Sequence, residues 1–184
     1  MLHEQLWAPW RLAYIKEGSV ENPQPEFAYQ FLPEADPQCF ICRAVAARRP
    51  DGTAADREHL VVGRTELSVV ILNRFPYNNG HLLVAPLRHQ GRLEAISASE
   101  LADLQTTIAD FVCRLEQLMN AQGFNIGLNL GHVAGAGLPG HLHWHVVPRW
   151  AGDTNFMGVV AGVEVIPQSL DALWQLLQAG EQSK

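Results

Sequence analysis

From residue 59 onward the apolar residues recur with a regular period. Before that they do not. The runs "HLVVG" (59–63) and "LSVVILN" (67–73) are rich in β-branched residues and separated by "RTE", a pattern that predicts a hairpin. "GHLLVAP" (80–86) predicts a third strand, entered through the turn-rich "FPYNNG" and closed by Pro86. Leu101, Leu104, Ile108, Phe111, Leu115 and Leu118 then recur at three- and four-residue steps and form one apolar helical stripe. Ser97 with Glu100 fits a capping box at its start, and Gly123 fits its stop. Cys113 sits beside the stripe and is expected to be a packed thiol. "FNIGLNLG" (124–131) and "HLHWHVVP" (141–148) alternate as strands four and five, and "SLDALWQLLQ" (169–178) is a second amphipathic helix. The order β-β-β-α-β-β predicts an α+β fold, with a five-stranded antiparallel sheet and the long helix on one face.

The front of the chain has a different texture. "WAPWRLAYI" is aromatic and expected to dock. The four prolines of "SVENPQPEFAYQFLPEADPQ" mark a surface excursion. "CFICRAVAARRP" (39–50) reads as a knuckle running into a short helix that Pro50 stops, and "DGTAADRE" as a loop. The chain therefore divides into an N-terminal extension, 1–58, and a main domain, 59–184, within one compact unit.

Composition narrows the chemistry. The net charge of −6, without a long basic run, argues against nucleic-acid backbone binding, so any phosphate must be held locally by backbone N–H groups and a few cations. The three cysteines, Cys39, Cys42 and Cys113, do not make a disulfide framework. The start lacks the basic and apolar regions of a signal peptide, and no apolar run suits a membrane span. The expected compartment is the reducing cytoplasm.

Three of the eight histidines lie at alternate positions of one segment, "GHLHWHVVPRW" (140–150). On a strand His141, His143 and His145 point one way, and Leu142, Trp144 and Val146 the other. Neighbouring imidazoles resist simultaneous protonation, which keeps at least one neutral near pH 7. Such a face can be a solvated polar surface, a metal-dependent hydrolase site, or a site for covalent catalysis on phosphorus through a neutral imidazole. The glycine-rich "GHVAGAGLPG" immediately upstream favours the last, because successive backbone N–H groups can converge on an anion. Cys39-Phe40-Ile41-Cys42 is a C-x-x-C pair, which alone fits zinc, a redox pair or chance.

His141-Leu142-His143-Trp144-His145-Val146-Val147 resembles the motif of the histidine triad superfamily of nucleotidyl hydrolases and transferases. The likeness extends through "ILNRFPYNNGHLLVAPLRH" and "NIGLNLG", over about residues 59–150. "PWRLAYI" and "GDTNFM" look like the branch containing bacterial diadenosine tetraphosphate phosphorylases.

The resemblance implies a nucleotidyl-histidine intermediate on His143, released by water or inorganic phosphate. His145 would bond a phosphate oxygen, and Asn129 would fix the phosphate side of the pocket. Gly135, Gly137 and Gly140 would supply backbone donors. The loop departs from smaller relatives in having no hydroxyl before the triad, which puts leaving-group protonation by a loop serine in doubt. Asn73 matches the residue that bonds the ribose, although an Asn there also suits a turn. His81 would line the nucleotide pocket or lie at the surface. Apolar residues of the first two strands would sandwich the base. The resemblance also implies a structural zinc on Cys39, Cys42, His89 and His141, with His132, His59 and His3 as substitutes, and a divalent cation could accompany the substrate. It implies a homodimer too, for which Trp7, Trp10 and Trp174 are candidate contacts. The expected reaction is phosphorolysis of diadenosine tetraphosphate to ADP and ATP. The alternatives are hydrolysis of such substrates or of nucleoside phosphoramidates, and a nucleotide-binding module without catalysis.

Overall fold

The computed structural model describes residues 27–154 and 165–180. His3, Trp7, Trp10, the "PWRLAYI" segment and the end of "GDTNFM" lie outside the described residues. A short ribbon pairs β1 (Ala28–Tyr29) with β2 (Ala47–Arg48) around α1 (Phe40–Ala46). The main sheet contains β3 (Val61–Arg64), β4 (Ser68–Leu72), β5 (Leu82–Pro86), β6 (Gly123–Leu128) and β7 (Trp144–Arg149). Its order is β3-β4-β5-β7-β6, antiparallel throughout. α2 (Ala98–Met119) and α3 (Leu170–Ala179) complete the chain. Among the described residues no helix is long and apolar enough to cross a membrane.

The period-two alternation sorts the strands into two faces. Val62, Val70, Leu72, Leu82, Val84, Leu142, Trp144 and Val146 meet Leu104, Ile108, Phe111 and Leu115 of α2, with Leu173 and Leu177 of α3. Each such fully buried aliphatic side chain contributes roughly 1.5–3 kcal/mol relative to exposure. Val61, Val69, Ile71 and Ala85 face the other way and are covered by Cys39, Ile41, Cys42, Ala44 and Val45. The N-terminal knuckle is therefore a third layer over β3, β4 and β5. Its two cysteines also cover His141, which is fully buried, and His143 and His145 follow it at alternate positions.

Several boundaries differ from the sequence reading. The capping box is present, with Ser97 Oγ accepting from the Glu100 N–H and the Glu100 carboxylate accepting from the Ser97 N–H. α2 stops at Asn120 (φ 51°, ψ 40°), and Gly123 opens β6 instead. Asn tolerates the left-handed region, so the chain reverses three residues early. Cys113 is exposed, because two residues beyond Phe111 is the opposite side of a 3.6-residue turn. Leu101, Ile126 and Leu130 of the apolar patterns are also exposed. Trp174 is not a free surface residue: it packs on the helix-side core, and its Nε1–H donates to the Val61 carbonyl at 2.8 Å. It ties α3 to β3.

Candidate active site

β7 begins at Trp144, so His141 and His143 precede the ladder. They still alternate with core residues, since Leu142 and Trp144 both enter the helix-side core. The Leu142 N–H donates to the Gln90 carbonyl at 2.7 Å and holds this segment before pairing starts.

His143 is 7% exposed. Its Nδ1 lies 2.8 Å from the His141 carbonyl oxygen. A carbonyl only accepts, so Nδ1 carries a proton, and in the neutral ring the lone pair is on Nε2. Among the described residues Nε2 has no hydrogen-bond partner. His145 lies beside it, with ring centroids 5.2 Å apart.

A fixed chain of bonds orients His145. The Tyr77 backbone N–H donates to His81 Nδ1 at 3.0 Å. The Asn73 side-chain oxygen accepts from the Phe75 N–H, which turns its Nδ2 toward His81 Nδ1 at 3.2 Å. His81 Nδ1 is thus an acceptor, and burial, with His145 and His143 adding to it, pushes the His81 pKa down to about 3. The neutral ring carries its proton on Nε2, which donates to His145 Nδ1 at 2.9 Å. Burial, then the neighbouring His143, also lowers the His145 pKa. Its proton therefore sits on Nε2, 3.4 Å from Asn129 Nδ2. Two donors face each other there, and a phosphate oxygen is the acceptor that would satisfy both. The Tyr77 ring lies against His145 and His81, at centroid distances of 5.7 and 4.8 Å.

His81 does not line the nucleotide cleft. It is fully buried and bonded to His145. The Gly135 N–H already donates to the His132 carbonyl at 3.0 Å. Gly135 contributes its left-handed turn (φ 90°), and a side chain there would point toward Asn129. Gly137 and Gly140 follow, with Gly140 beside His89.

A cleft of about 540 Å³ opens on the same face, over Ile71 and Leu83 and next to Asn73. Leu83 is the cross-strand partner of His145, so the cleft starts one strand away from the triad. The expected sandwiching residues are found only in part: Leu60 and Ile71 line the cleft, while Val62, Val70 and Leu72, the last also at the cleft's edge, serve the opposite core. The other wall comes from outside the motif, from Phe27, Tyr29, Phe40 and Arg43 of the N-terminal extension. No periodicity in the sequence signals that wall.

Cys39, Cys42, His89 and His141 bring all four ligand atoms within 4.8 Å of one another. Cys39 Sγ and Cys42 Sγ lie 3.3 and 3.6 Å from His141 Nδ1, and Cys42 Sγ lies 3.3 Å from His89 Nδ1. His141 Nε2–H donates to the Pro86 carbonyl at 2.9 Å, which leaves Nδ1 free as a ligand atom. Ligands at zinc distances of about 2.3 Å for sulfur and 2.0 Å for nitrogen stand about 3.5 Å apart across a tetrahedral edge. The cluster fits a closed metal site. Without an ion, burial pushes the Cys39 thiol up to about 12 and holds His141 down to about 4, against the pull of the Pro86 carbonyl. His132 and His59 are not part of the cluster.

Residues 55–152 match the HIT domain family, and the chain belongs to it. It is 38% identical to an AP-4-A phosphorylase of Mycobacterium tuberculosis over 175 residues, covering 95% of this chain and 82% of that protein. It is 39% identical over 90 residues to an asymmetrical bis(5'-nucleosyl)-tetraphosphatase of Schizosaccharomyces pombe, covering 49% of each. A zinc-bound histidine triad family protein from Mycobacterium smegmatis has a similar structure (TM-score 0.55, 26% identity, 66% of this chain and 82% of that one).

Proposed function

We propose that the protein transfers a nucleotidyl group from a dinucleoside polyphosphate through His143, and that diadenosine tetraphosphate with inorganic phosphate gives ADP and ATP. The observation that carries this reading is the pair of tautomers held on His143 and His145. His143 Nε2 presents a lone pair, and His145 Nε2–H with Asn129 presents two donors beside it.

His143 Nε2 attacks the α-phosphorus, forming a P–N bond while the P–O bond to the leaving ATP breaks. The His141 carbonyl stabilises the cationic imidazole that results. His145 and Asn129 bond the non-bridging oxygens, whose charge grows in the transition state. An oxygen of inorganic phosphate then attacks the same phosphorus, the P–N bond breaks, and ADP leaves. Water in that step gives AMP. Asn73, Gly137 and Gly140 hold the ribose and phosphates by proximity.

The loop 132–140 has no hydroxyl, a feature that favours a polyphosphate over a phosphoramidate. A polyphosphate departs as a stable anion, whereas an amine needs a proton. The AP-4-A phosphorylase relative supports the phosphorolytic reading. Cys39, Cys42, His89 and His141 would hold a structural zinc. When bound, the ion supplies a crosslink and a fixed charge, while this chain's own segment from His141 to His143 positions the nucleophile.

The test is product analysis with and without phosphate. ADP plus ATP is expected with phosphate, and a nucleotide-labelled His143 in quenched protein. His143→Asn abolishes turnover and keeps nucleotide binding. Turnover in that variant, or AMP plus ATP without ADP when phosphate is in excess, would refute the proposal.

A further inference from the structure

The cleft beyond Asn73 has a polar end that the histidine chemistry does not use. Arg43 projects from α1, flanked by the ligand candidates Cys39 and Cys42 on that helix's buried side. Its NH2 donates to the Tyr29 hydroxyl at 3.1 Å, and its guanidinium lies over the Tyr29 ring at 5.3 Å. Among the described residues it has no carboxylate partner, so most of its five N–H donors are uncommitted. Glu58 lines the same cleft. Both of its oxygens accept from Arg49, at 3.1 and 2.8 Å, and each keeps a further lone pair. His59 also lines the cleft, packs edge-on against Phe27, and feels the charge of both.

Strands are about 4.8 Å apart, so β4 lies about 10 Å from β7 across β5. A nucleotide whose phosphate sits at His145 and whose ribose meets Asn73 therefore lays its base over Ile71, toward Arg43 and Glu58. We infer that Arg43 and Glu58 read the edge of that base and select adenine over guanine. This rests on the nucleotide site proposed above. Adenine offers an acceptor, N7, next to a donor, the N6 amino group. Arg43 supplies the matching donor and Glu58 the matching acceptor. Guanine offers two acceptors on that edge, N7 and O6, and sets O6 against the Glu58 carboxylate. The apolar motif strands hold any base. The N-terminal extension, through Arg43 and the loop residue Glu58, discriminates among them.

The test is calorimetric titration of the full chain with AMP and with GMP, which needs no turnover. From one well-made donor–acceptor pair, AMP is expected to bind at least about tenfold tighter than GMP. Glu58→Gln, which can turn an N–H toward O6, brings the two within about threefold by raising GMP affinity. Arg43→Gln weakens AMP by about tenfold. Arg92→Gln breaks a surface ion pair with Glu94, neither residue lining the cleft, and should leave the ratio unchanged. Thermal unfolding of each variant confirms that it is folded. Equal binding of AMP and GMP to the wild type overturns the inference, as does an unchanged ratio in Glu58→Gln. Phosphate-independent hydrolysis of dinucleotides with the AMP preference intact would remove the phosphorolytic reading alone. Failure of both nucleotides to bind removes the nucleotide site and this inference together.

Discussion

Replacing His81 tests the orientation argument most sharply. In His81→Leu the buried volume is filled by an apolar side chain, but the Nε2–H that donates to His145 Nδ1 at 2.9 Å is gone. Leaving that half-buried acceptor unpaired costs about 1–3 kcal/mol. If the cost falls on the transition state, where His145 must present Nε2–H to the phosphate, kcat falls roughly 5- to 150-fold. KM should change little, because His81 does not line the cleft. Nitrogen-15 spectra of the histidine rings give a direct readout: His145 should be protonated on Nε2 in the wild type and lose that preference in the variant. Stability responds too. The folded pKa of about 3 lies below the unfolded value of 6.5, so His81 contributes fully above pH 6.5 and its contribution is lost as pH falls toward 3. His81→Leu should flatten that part of the stability curve. A wild-type His145 protonated on Nδ1, or a variant with kcat within twofold of wild type, would refute the relay.

Cys42→Ser should bring bound zinc, measured by elemental analysis, from one per chain to well below one and lower the unfolding temperature; full occupancy in the variant would remove Cys42 from the ligand set. Glu100 is held down to about 2, first by its bond from Arg88, so its stabilisation is complete above pH 4.5 and lost as pH falls toward 2. The loss is at most about 3 kcal/mol, reduced by screening at partly exposed Arg88, and Glu100→Gln should lessen the fall in stability seen in urea titrations below pH 4.5. A methyl group at Gly63 would meet the Phe111 ring at 2.7 Å, so Gly63→Ala should destabilise by about 1–3 kcal/mol with kcat unchanged. Stability equal to wild type in that variant would mean that the ring yields freely.

What was legible along the chain is what short-range periodicity encodes. The alternation of His141, His143 and His145 with Leu142 and Trp144 shows up in three dimensions as two opposite faces, because a strand's geometry is local. The Ser97 and Glu100 cap is equally local. The four-ligand set of Cys39, Cys42, His89 and His141 was legible only through family resemblance, since 102 residues separate Cys39 from His141. Packing decided the rest. Trp174 looked like a free aromatic, yet its indole N–H finds the Val61 carbonyl 113 residues away. His81 read as a pocket or a surface residue, yet packing buries it and its Nε2 meets His145 Nδ1. Helix periodicity alone does not say that α1 will lie across β3–β5 and wall the cleft with Phe40 and Arg43. Sequence by itself determined which residues share a strand face. Only the tertiary structure decided which faces meet and which nitrogen of each imidazole holds the proton, because both depend on partners that the chain brings together from a distance.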